Sequence, residues 1–395
     1  MDPKLRAAFN ADFTPEKYAA LVRCVNESEK WPADFRICET PVFLTREFTD
    51  EITRAANELV AATRTPEFVS HSALAVPKDF QVPNESTHPN FHVVDFAVCA
   101  EGDRLVPRLI ELQAFPSLFG FQLTLLDCFR KAFPVIPRNW TSSFGGIKDE
   151  AYLELLKRTI IADSLPESVV LLDIQPDKQK TRVDFAATES FLGIRPVCVT
   201  EIKKRGRQLF YDRDGHDVRI ERIYNRVIFD ELSQRRDLKL HFRFQDDLDV
   251  TWVGHPNWYF RISKHSLPFL KTKYTSPAFF VDEFPVGEQI GEYVLKPLYS
   301  FAGHGVDIEP TREKIAGLQN PHEWILQRKV EYASFLPTID GHTSKAEIRM
   351  MFVWPDQDRD PTLVNNLVRM SQGKMMGVDF NKNKTWVGAS IALHD

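Results

Sequence analysis

The feature of this chain that most constrains its fold is the stretch from Tyr293 to Val306. An apolar run is followed there by Lys296, a proline and a loop of small residues that contains Gly303 and Gly305. Glycine leaves backbone N–H groups unobstructed, so such a loop can surround anionic oxygens while the lysine supplies a positive charge. The stretch therefore predicts a strand that ends beside a phosphate-binding loop, and with it a nucleotide site.

The composition indicates a folded protein with more than one domain. With 395 residues, 43% of them apolar, the chain can build ordinary hydrophobic cores. A net charge of −5 gives no general attraction to nucleic acid or to anionic lipid, and we interpret the basic run Lys203 to Arg207 as a solvated loop. No window approaches the roughly 18 apolar residues of a membrane helix, and no targeting signal is recognised, so we expect a cytoplasmic protein.

The cysteines give no sign of a metal site or a disulfide framework. They are five in number and scattered, at Cys24, Cys38, Cys99, Cys128 and Cys198. An odd set without C-x-x-C spacing argues against both kinds of cross-link. We therefore expect reduced thiols in the core.

Helices are expected at the start of the chain. Thr14 and Pro15 form an N-cap and first-turn proline before a helix through Tyr18 to Val25, and Thr49 opens a second helix that runs to about Ala62. A loop at 76–90, rich in proline and polar residues, then leads to the first strands. We interpret both helices as packing elements.

A β-α-β unit is expected from about Val169. The pattern predicts a buried strand over 169–174, a helix over 177–192 closed by Gly193, a second strand over 194–200, and a hairpin turning at Asp214-Gly215 and returning to Arg226. The fold class is therefore α/β in the broad sense (α+β). We divide the chain into an N-terminal helical region (1–87), a hairpin with following helices (88–167), a small α/β domain (168–250) and nucleotide-binding lobes (251–395).

A β-hairpin over residues 91–113 could bring acidic side chains together. If the strands pair about Asp103, then Asp95 lies opposite Glu111, and Gln113 shares the face of Glu111. Like charges in such a pair are destabilising unless a cation lies between them, and two carboxylates with an amide oxygen suit Mg²⁺. The alternative is a solvent-facing hairpin with incidental acids, and Pro107 warns of an edge strand or a bulge.

Further polar residues lie within apolar, strand-like runs. The run 323–331 could hydrogen-bond an adenine through its backbone, Lys264 offers a second lysine, and Arg349 and Arg369 are cations in apolar surroundings. Buried cations are costly, so such positions usually face an anion. For each of them a structural salt bridge is the competing interpretation.

Taken together, these pieces resemble the ATP-grasp superfamily over residues 88–122 and 168–395. Their order resembles its circularly permuted branch, represented by the synthetase domain of glutathionylspermidine synthase, because the candidate metal-binding acids precede the lysine strand and glycine loop. The resemblance implies a circularly permuted ATP-grasp fold with a preceding small α/β domain. It implies metal ligands at Asp95, Glu111 and Gln113; ATP contacts at Lys264, Lys296, Ser300, Gly303, Gly305, Gln327, Lys329 and Val330; catalytic arginines at Arg349 and Arg369; and substrate contacts at Ser117 and Arg226.

Three departures from the family pattern bear on the site. Gln113 stands where asparagine is usual, and Val93 stands where an arginine is usual. Asp379 and Asn381 form a second acid–amide pair near the C-terminus, where an unpermuted chain would hold its metal. The acids of the hairpin are the preferred metal site.

The chemistry implied by the resemblance is ATP- and Mg²⁺-dependent ligation of a carboxylate to an amine through an acyl phosphate, with release of ADP and phosphate. Small-molecule carboxylate and amine substrates are implied as partners, without nucleic acid or membrane. Two alternatives stay open: a small-molecule kinase that stops after phosphoryl transfer, and a non-catalytic nucleotide-binding protein.

Overall fold

The computed structural model describes residues 1–300, 303–373, 376, 381 and 383–395. The helices are α1 Pro3–Asp12, α2 Pro15–Glu27, α3 Arg46–Ala62, α4 Pro66–Ala73, α5 Phe121–Ala132, α6 Asp149–Ile160, α7 Arg182–Leu192, α8 Phe229–Gln234, α9 Pro256–Arg261 and α10 Arg312–Ala316. The strands are β1 Val42–Phe43, β2 Phe91–Glu101, β3 Arg104–Gln113, β4 Val169–Asp173, β5 Arg195–Cys198, β6 Lys203–Arg205, β7 Gln208–Arg213, β8 His216–Ile220, β9 Arg222–Asn225, β10 Thr251–Val253, β11 Ala278–Phe280, β12 Tyr293–Pro297, β13 Trp324–Arg328, β14 Leu336–Pro337, β15 Thr343–Val353, β16 Thr362–Ser371, β17 Gly388–Ser390 and β18 Ala392–Leu393. The mixed α+β class is confirmed.

The largest sheet joins residues that are far apart in the chain. Its strands run in the order β17-β16-β15-β2-β3, and all of these neighbours are antiparallel. The early hairpin β2–β3 therefore extends a sheet whose other strands come from the last fifty-odd residues. Core residues pack against both faces of this sheet, and β2 is therefore buried along nearly its whole length.

A second, three-stranded sheet carries the lysine strand. Its order is β11-β13-β12, and β13 is antiparallel to both neighbours. The glycine turn leaves β12 and returns to it, because Leu295 and Asp307 exchange two backbone hydrogen bonds at 2.9 Å. Gly303 and Gly305 both have a φ of +75°, the left-handed conformation that favours glycine.

The third sheet is the parallel one that the β-α-β pattern predicts. Its order is β10-β9-β4-β5, with α7 ending at Gly193, whose φ is +71°. The prediction for the return strand of the following hairpin is wrong in one respect. The strand is not continuous to Arg226 but breaks at Glu221, because β8 pairs with β7 whereas β9 joins the parallel sheet.

The N-terminal helices begin at capped positions. Thr14 accepts a hydrogen bond from Lys17 N and caps α2, as the sequence predicts. α3 starts three residues earlier than predicted, because Thr45 accepts from Phe48 N and takes the cap position, while Thr49 lies inside the helix. This region is tied to the other end of the chain, since β1 pairs in parallel with β18.

The expectation of reduced cysteines is wrong for two of them. Cys24 of α2 and Cys128 of α5 form a disulfide across 104 residues of sequence. Cys38, Cys99 and Cys198 are free and buried, as expected. The error arises because helix packing brings together two residues whose spacing in sequence carries no signal.

The basic run at 203–207 is not a loop throughout, because its first three residues form the exposed strand β6. The side chains of Lys203, Lys204, Arg205 and Arg207 pair with Asp217, Asp246, Asp247 and Asp249, so the basic run is neutralised by its own surroundings. Among the described residues, every helix is too short or too polar to cross a bilayer.

Candidate functional site

The hairpin β2–β3 places its acids as the sequence predicts. Asp95 lies opposite Glu111, and Val93 lies opposite Gln113. Near the turn the register differs, because Phe96 pairs with Leu109. The extra residue is Ile110, and a β-bulge there shifts the register by one and leaves its carbonyl outside the ladder.

Asp95 is the anchor of two arginines. Its Oδ1 accepts from Arg349 Nε at 2.6 Å, and its Oδ2 accepts from Arg349 NH2 and from Arg369 NH2, both at 2.7 Å. The residue is only 1% exposed. Burial favours the protonated carboxyl, but the two guanidinium groups outweigh it, so the pKa of Asp95 lies below its usual value.

Glu111 and Gln113 face the lysine at position 264. Gln113 Nε2 donates to Glu111 Oε1 at 2.8 Å, and Lys264 Nζ lies 3.5 Å from Glu111 Oε2. Lys264 Nζ also donates to the carbonyl of Ser300 at 2.6 Å. Gln113 Oε1 is buried without a hydrogen-bond partner, so the pair offers acceptor oxygens to a further ligand.

Lys296 is a buried cation held by neutral oxygens. Its Nζ donates to Gln327 Oε1 at 2.6 Å and lies 3.4 Å from the carbonyl of the bulge residue Ile110. Gln327 Nε2 donates to the Leu109 carbonyl at 3.2 Å, which ties β13 to β3. Burial lowers the pKa of Lys296 to about 8, although the charge of Glu111 acts in the opposite direction.

The remaining residues predicted to bind ATP lie on the small sheet and its turn. Ser300 contacts Lys264, and Gly303 and Gly305 form the turn that closes on β12; Phe301 and Ala302, between them, lie outside the described residues. Lys329 is exposed, its Nζ donates to the Gly291 carbonyl and its N–H donates to the Glu292 carbonyl at 2.9 Å. Val330 lies two residues after the end of β13.

Some of these groups border a small, partly open cleft between the end of β3, the segment that follows α9 and the start of the glycine turn. It is lined by Glu111, Gln113, Phe115, Tyr259, Ile262, Ser263, Lys264, Leu298, Tyr299 and Ser300. Two of the predicted metal ligands, one predicted lysine and the start of the glycine turn thus meet in one place. Aromatic rings form the wall towards the parallel sheet.

Arg226 lies apart from that cleft, in a buried ion pair. Its NH1 donates to Asp184 Oδ2 at 2.6 Å, and the guanidinium lies over the rings of Phe115 and Phe185. The carboxylate of Asp184 also accepts from the backbone N–H groups at the start of α5. Ser117 is buried in the preceding turn, 8% exposed. The substrate roles of Ser117 and Arg226 stay predictions.

Whether these residues fit a magnesium ion depends on which of their oxygens are available to coordinate it. Both oxygens of Asp95 are engaged by arginines, so its predicted metal role requires those ion pairs to open. Glu111 and Gln113 fit better, because an ion bound mainly through phosphates needs only one or two protein oxygens. Within the described ranges, no three His, Cys, Asp or Glu side chains are grouped to hold a metal by themselves.

The alternative metal pair near the C-terminus is described only in part. Asp379 lies outside the described residues. Asn381 Oδ1 accepts from the hydroxyl of Ser371 at 3.0 Å and from the N–H of Gln372 at 3.1 Å, so it organises the turn after β16. Its metal role stays a prediction.

Two residues of the cluster escaped the sequence analysis. Glu347 is paired with Arg369 directly across the β15–β16 ladder, and it accepts the hydroxyl of Tyr332 at 2.8 Å. The signal was available, since Glu347 and Arg349 occupy alternate positions of one strand and so share a face. Burial raises the pKa of Glu347, although Arg369 acts against it.

A second missed feature is the carboxyl edge of the parallel sheet. β5 and β9 flank β4 on opposite sides, which is the arrangement in which open α/β sheets form a crevice. Asp173 ends β4 there, buried, and Gln175 follows at a strained φ of 44°. Arg226 follows β9 at the same edge, and its ring partner Phe115 also lines the cleft.

Comparison with known proteins gives a fold and no family. No protein-family model matches this chain, and no curated protein matches its sequence. Among solved structures, it is similar to a glutathione synthetase-like effector from Globodera pallida, determined in its apo form. The two share 11% sequence identity with a TM-score of 0.56, and the match covers 94% of this chain and 95% of the other. The likeness shows a common fold along nearly the whole chain.

Proposed function

We propose that this chain has a circularly permuted ATP-grasp fold and acts as an ATP- and Mg²⁺-dependent ligase that joins a carboxylate to an amine. The proposal rests on the convergence of Lys264, Lys296 and Glu111 where the large sheet meets the sheet of the lysine strand. Both lysines are buried, at 6% and 7% exposure. Glu111 pairs with Lys264, whereas Lys296 is held by neutral oxygens, so positive charge is left for a ligand. The name of the structural neighbour, glutathione synthetase-like, supports the same class of reaction.

The charge of the cluster favours a polyphosphate. Among the described residues it holds four basic side chains, Lys264, Lys296, Arg349 and Arg369, against three acidic ones, Asp95, Glu111 and Glu347. An excess of buried positive charge is costly unless an anion compensates for it. A triphosphate alongside Mg²⁺ supplies that compensation.

Magnesium would be held by Glu111 and Gln113 and would neutralise charge on the phosphates. The lysines would hold the β- and γ-phosphates, and the glycine turn would cover them and shield the acyl phosphate from water. In the first step a substrate carboxylate oxygen attacks the γ-phosphorus and the bond to ADP breaks. In the second the amine attacks the acyl carbon, phosphate departs, and the nitrogen loses its proton.

The arginines have distinct places in this scheme. Arg369 has a side chain that is 34% exposed, whereas that of Arg349 is 8% exposed and closed on Asp95 by two hydrogen bonds. Arg369 is therefore the better placed to stabilise the oxyanion and the departing phosphate. Arg349 supports it through Asp95.

The substrates are expected on the side of the cleft that faces the parallel sheet. Phe115 and Tyr259 line the cleft, and Phe115 stacks under Arg226 at the carboxyl edge of that sheet. A small molecule that carries a carboxylate could reach from this edge to the phosphate site.

The test combines purified protein with ATP, Mg²⁺ and pools of amino acids, peptides and polyamines, followed by ADP assay and mass spectrometry. We expect ADP release that depends on both an acid and an amine, and a product heavier than the acid by the amine less one water. ADP release without an amide, but with a phosphorylated acceptor, would identify a kinase. Nucleotide binding without any turnover would favour a non-catalytic role, as the word effector in the neighbour's name allows.

The affinity for ATP should fall as the pH rises through about 8. Lys296 carries its charge below its pKa of about 8 and loses it above, so its attraction for phosphate is present at neutral pH and lost in alkali. We expect the dissociation constant of ATP to rise by up to about tenfold per pH unit above that point. Calorimetric titrations from about pH 7 to about pH 9.5 measure this, and the Lys296→Met variant should show no such rise.

A further inference from the structure

A chain of hydrogen bonds connects the segment after β13 to Arg369. Tyr332 donates its hydroxyl to Glu347 Oε2 at 2.8 Å, and Glu347 Oε1 accepts from Arg369 NH2. The same nitrogen donates to Asp95 Oδ2 at 2.7 Å. One atom of the guanidinium is therefore held by two carboxylates at once.

The chain of bonds joins the segment that follows β13 to the large sheet. Tyr332 lies where the chain crosses from β13 to the large sheet, since it bridges to Cys99 and Ala333 N donates to the Val98 carbonyl at 2.9 Å. Glu347 is only 4% exposed and belongs to the large sheet. The crossing segment directly follows Lys329 and Val330, the residues predicted to face the base.

In the part of the chain that the structure describes, the guanidinium of Arg369 is held through a single nitrogen. Its hydrogen bonds to Asp95 and Glu347 both use NH2, while the side chain keeps 34% of its surface exposed. An arginine side chain that is already ordered loses less entropy when it binds a further anion. Glu347 and Tyr332 thus order Arg369 for an anion that binds at its exposed side.

We propose that Glu347 and Tyr332 are positioning residues that aim Arg369 at the phosphate chain of the nucleotide. This inference rests on the nucleotide site of the proposed function. It adds that the base-side segment and the phosphate-side arginine are one connected unit, so that the gain in affinity from each phosphate depends on Glu347.

The experiment compares the affinities of ATP, ADP and AMP by equilibrium dialysis for the wild type and for Glu347→Gln and Tyr332→Phe. We expect Glu347→Gln to weaken ATP binding by about tenfold and AMP binding by less than about twofold, because a charged hydrogen bond to the arginine is lost. Tyr332→Phe, which removes one hydroxyl, should show the same pattern at about threefold. Glu331→Gln is the matched control, since Glu331 is an exposed acid next to Tyr332, and it should bind like the wild type.

The outcomes separate this inference from the proposed function. Equal losses for all three nucleotides, or no loss, would overturn the positioning role while leaving the nucleotide site in place. Failure of the wild type to bind any of the three would overturn both. If Glu347→Gln does not fold, Tyr332→Phe decides, because it retains every charge of the cluster.

Discussion

Replacing Lys296 with methionine should weaken ATP binding by about 100-fold while leaving the protein folded. Loss of one charge-assisted hydrogen bond to phosphate costs about 2 to 3 kcal/mol, which corresponds to that factor. The fold should tolerate the change, because the Lys296 ammonium is held by the Gln327 amide and the Ile110 carbonyl and not by a direct carboxylate pair. Removing a buried charge also removes its desolvation cost.

The measurement is calorimetric titration with ATP, accompanied by thermal unfolding of each variant. Lys4→Met is the matched control: it makes the same chemical change on an exposed lysine of α1 that belongs to no predicted site, and we expect a loss of less than about threefold. Wild-type affinity in Lys296→Met would place the nucleotide elsewhere. An equal loss in both variants would indicate general electrostatics and no defined site.

Local patterns in the sequence predicted the parts of the site that depend on neighbouring residues. The two-residue period and a turn centred on Asp103 placed Asp95 opposite Glu111, and the structure confirms that pairing. The structure reaches this pairing by another route. Its turn is formed by Gly102 and Asp103, which alone would pair Asp95 with Ile110, and the bulge at Ile110 shifts the register by one residue to Glu111. The lysine strand, the glycine turn and the β-α-β unit could likewise be predicted, because each is contained within one short segment.

Contacts between distant segments could not be predicted in the same way. Asp95 binds Arg349 and Arg369, which follow it by 254 and 274 residues, and no local pattern links them. Arg226 is similar: the resemblance implied a substrate contact there, and its ion pair with Asp184 joins the end of β9 to α7, two segments that no local pattern links. Burial and charge at one position indicate that a partner exists without saying which residue it is.

Removing the Cys24–Cys128 disulfide should lower the free energy of unfolding by about 4 to 5 kcal/mol. The bond closes a loop with a sequence separation of 104 residues, and the entropy model of cross-linking gives that magnitude for about 100 residues. It joins α2 to α5, so its loss removes the covalent link between the N-terminal helices and the core that they share with α5. We expect Cys24→Ser/Cys128→Ser to unfold several degrees lower than the wild type.

Thiol counting and a reducing agent complete this test and bear on where the protein works. Denatured wild type should yield three reactive thiols, Cys38, Cys99 and Cys198, and five after reduction. Reductant should lower the melting temperature of the wild type to that of the double serine variant and leave the variant unchanged. Five thiols in unreduced protein from its native source would contradict the cross-link and agree with the cytoplasmic expectation, because that compartment keeps cysteines reduced. Three thiols would instead indicate folding in an oxidising compartment. A ligase there would depend on ATP that is present outside the cytoplasm.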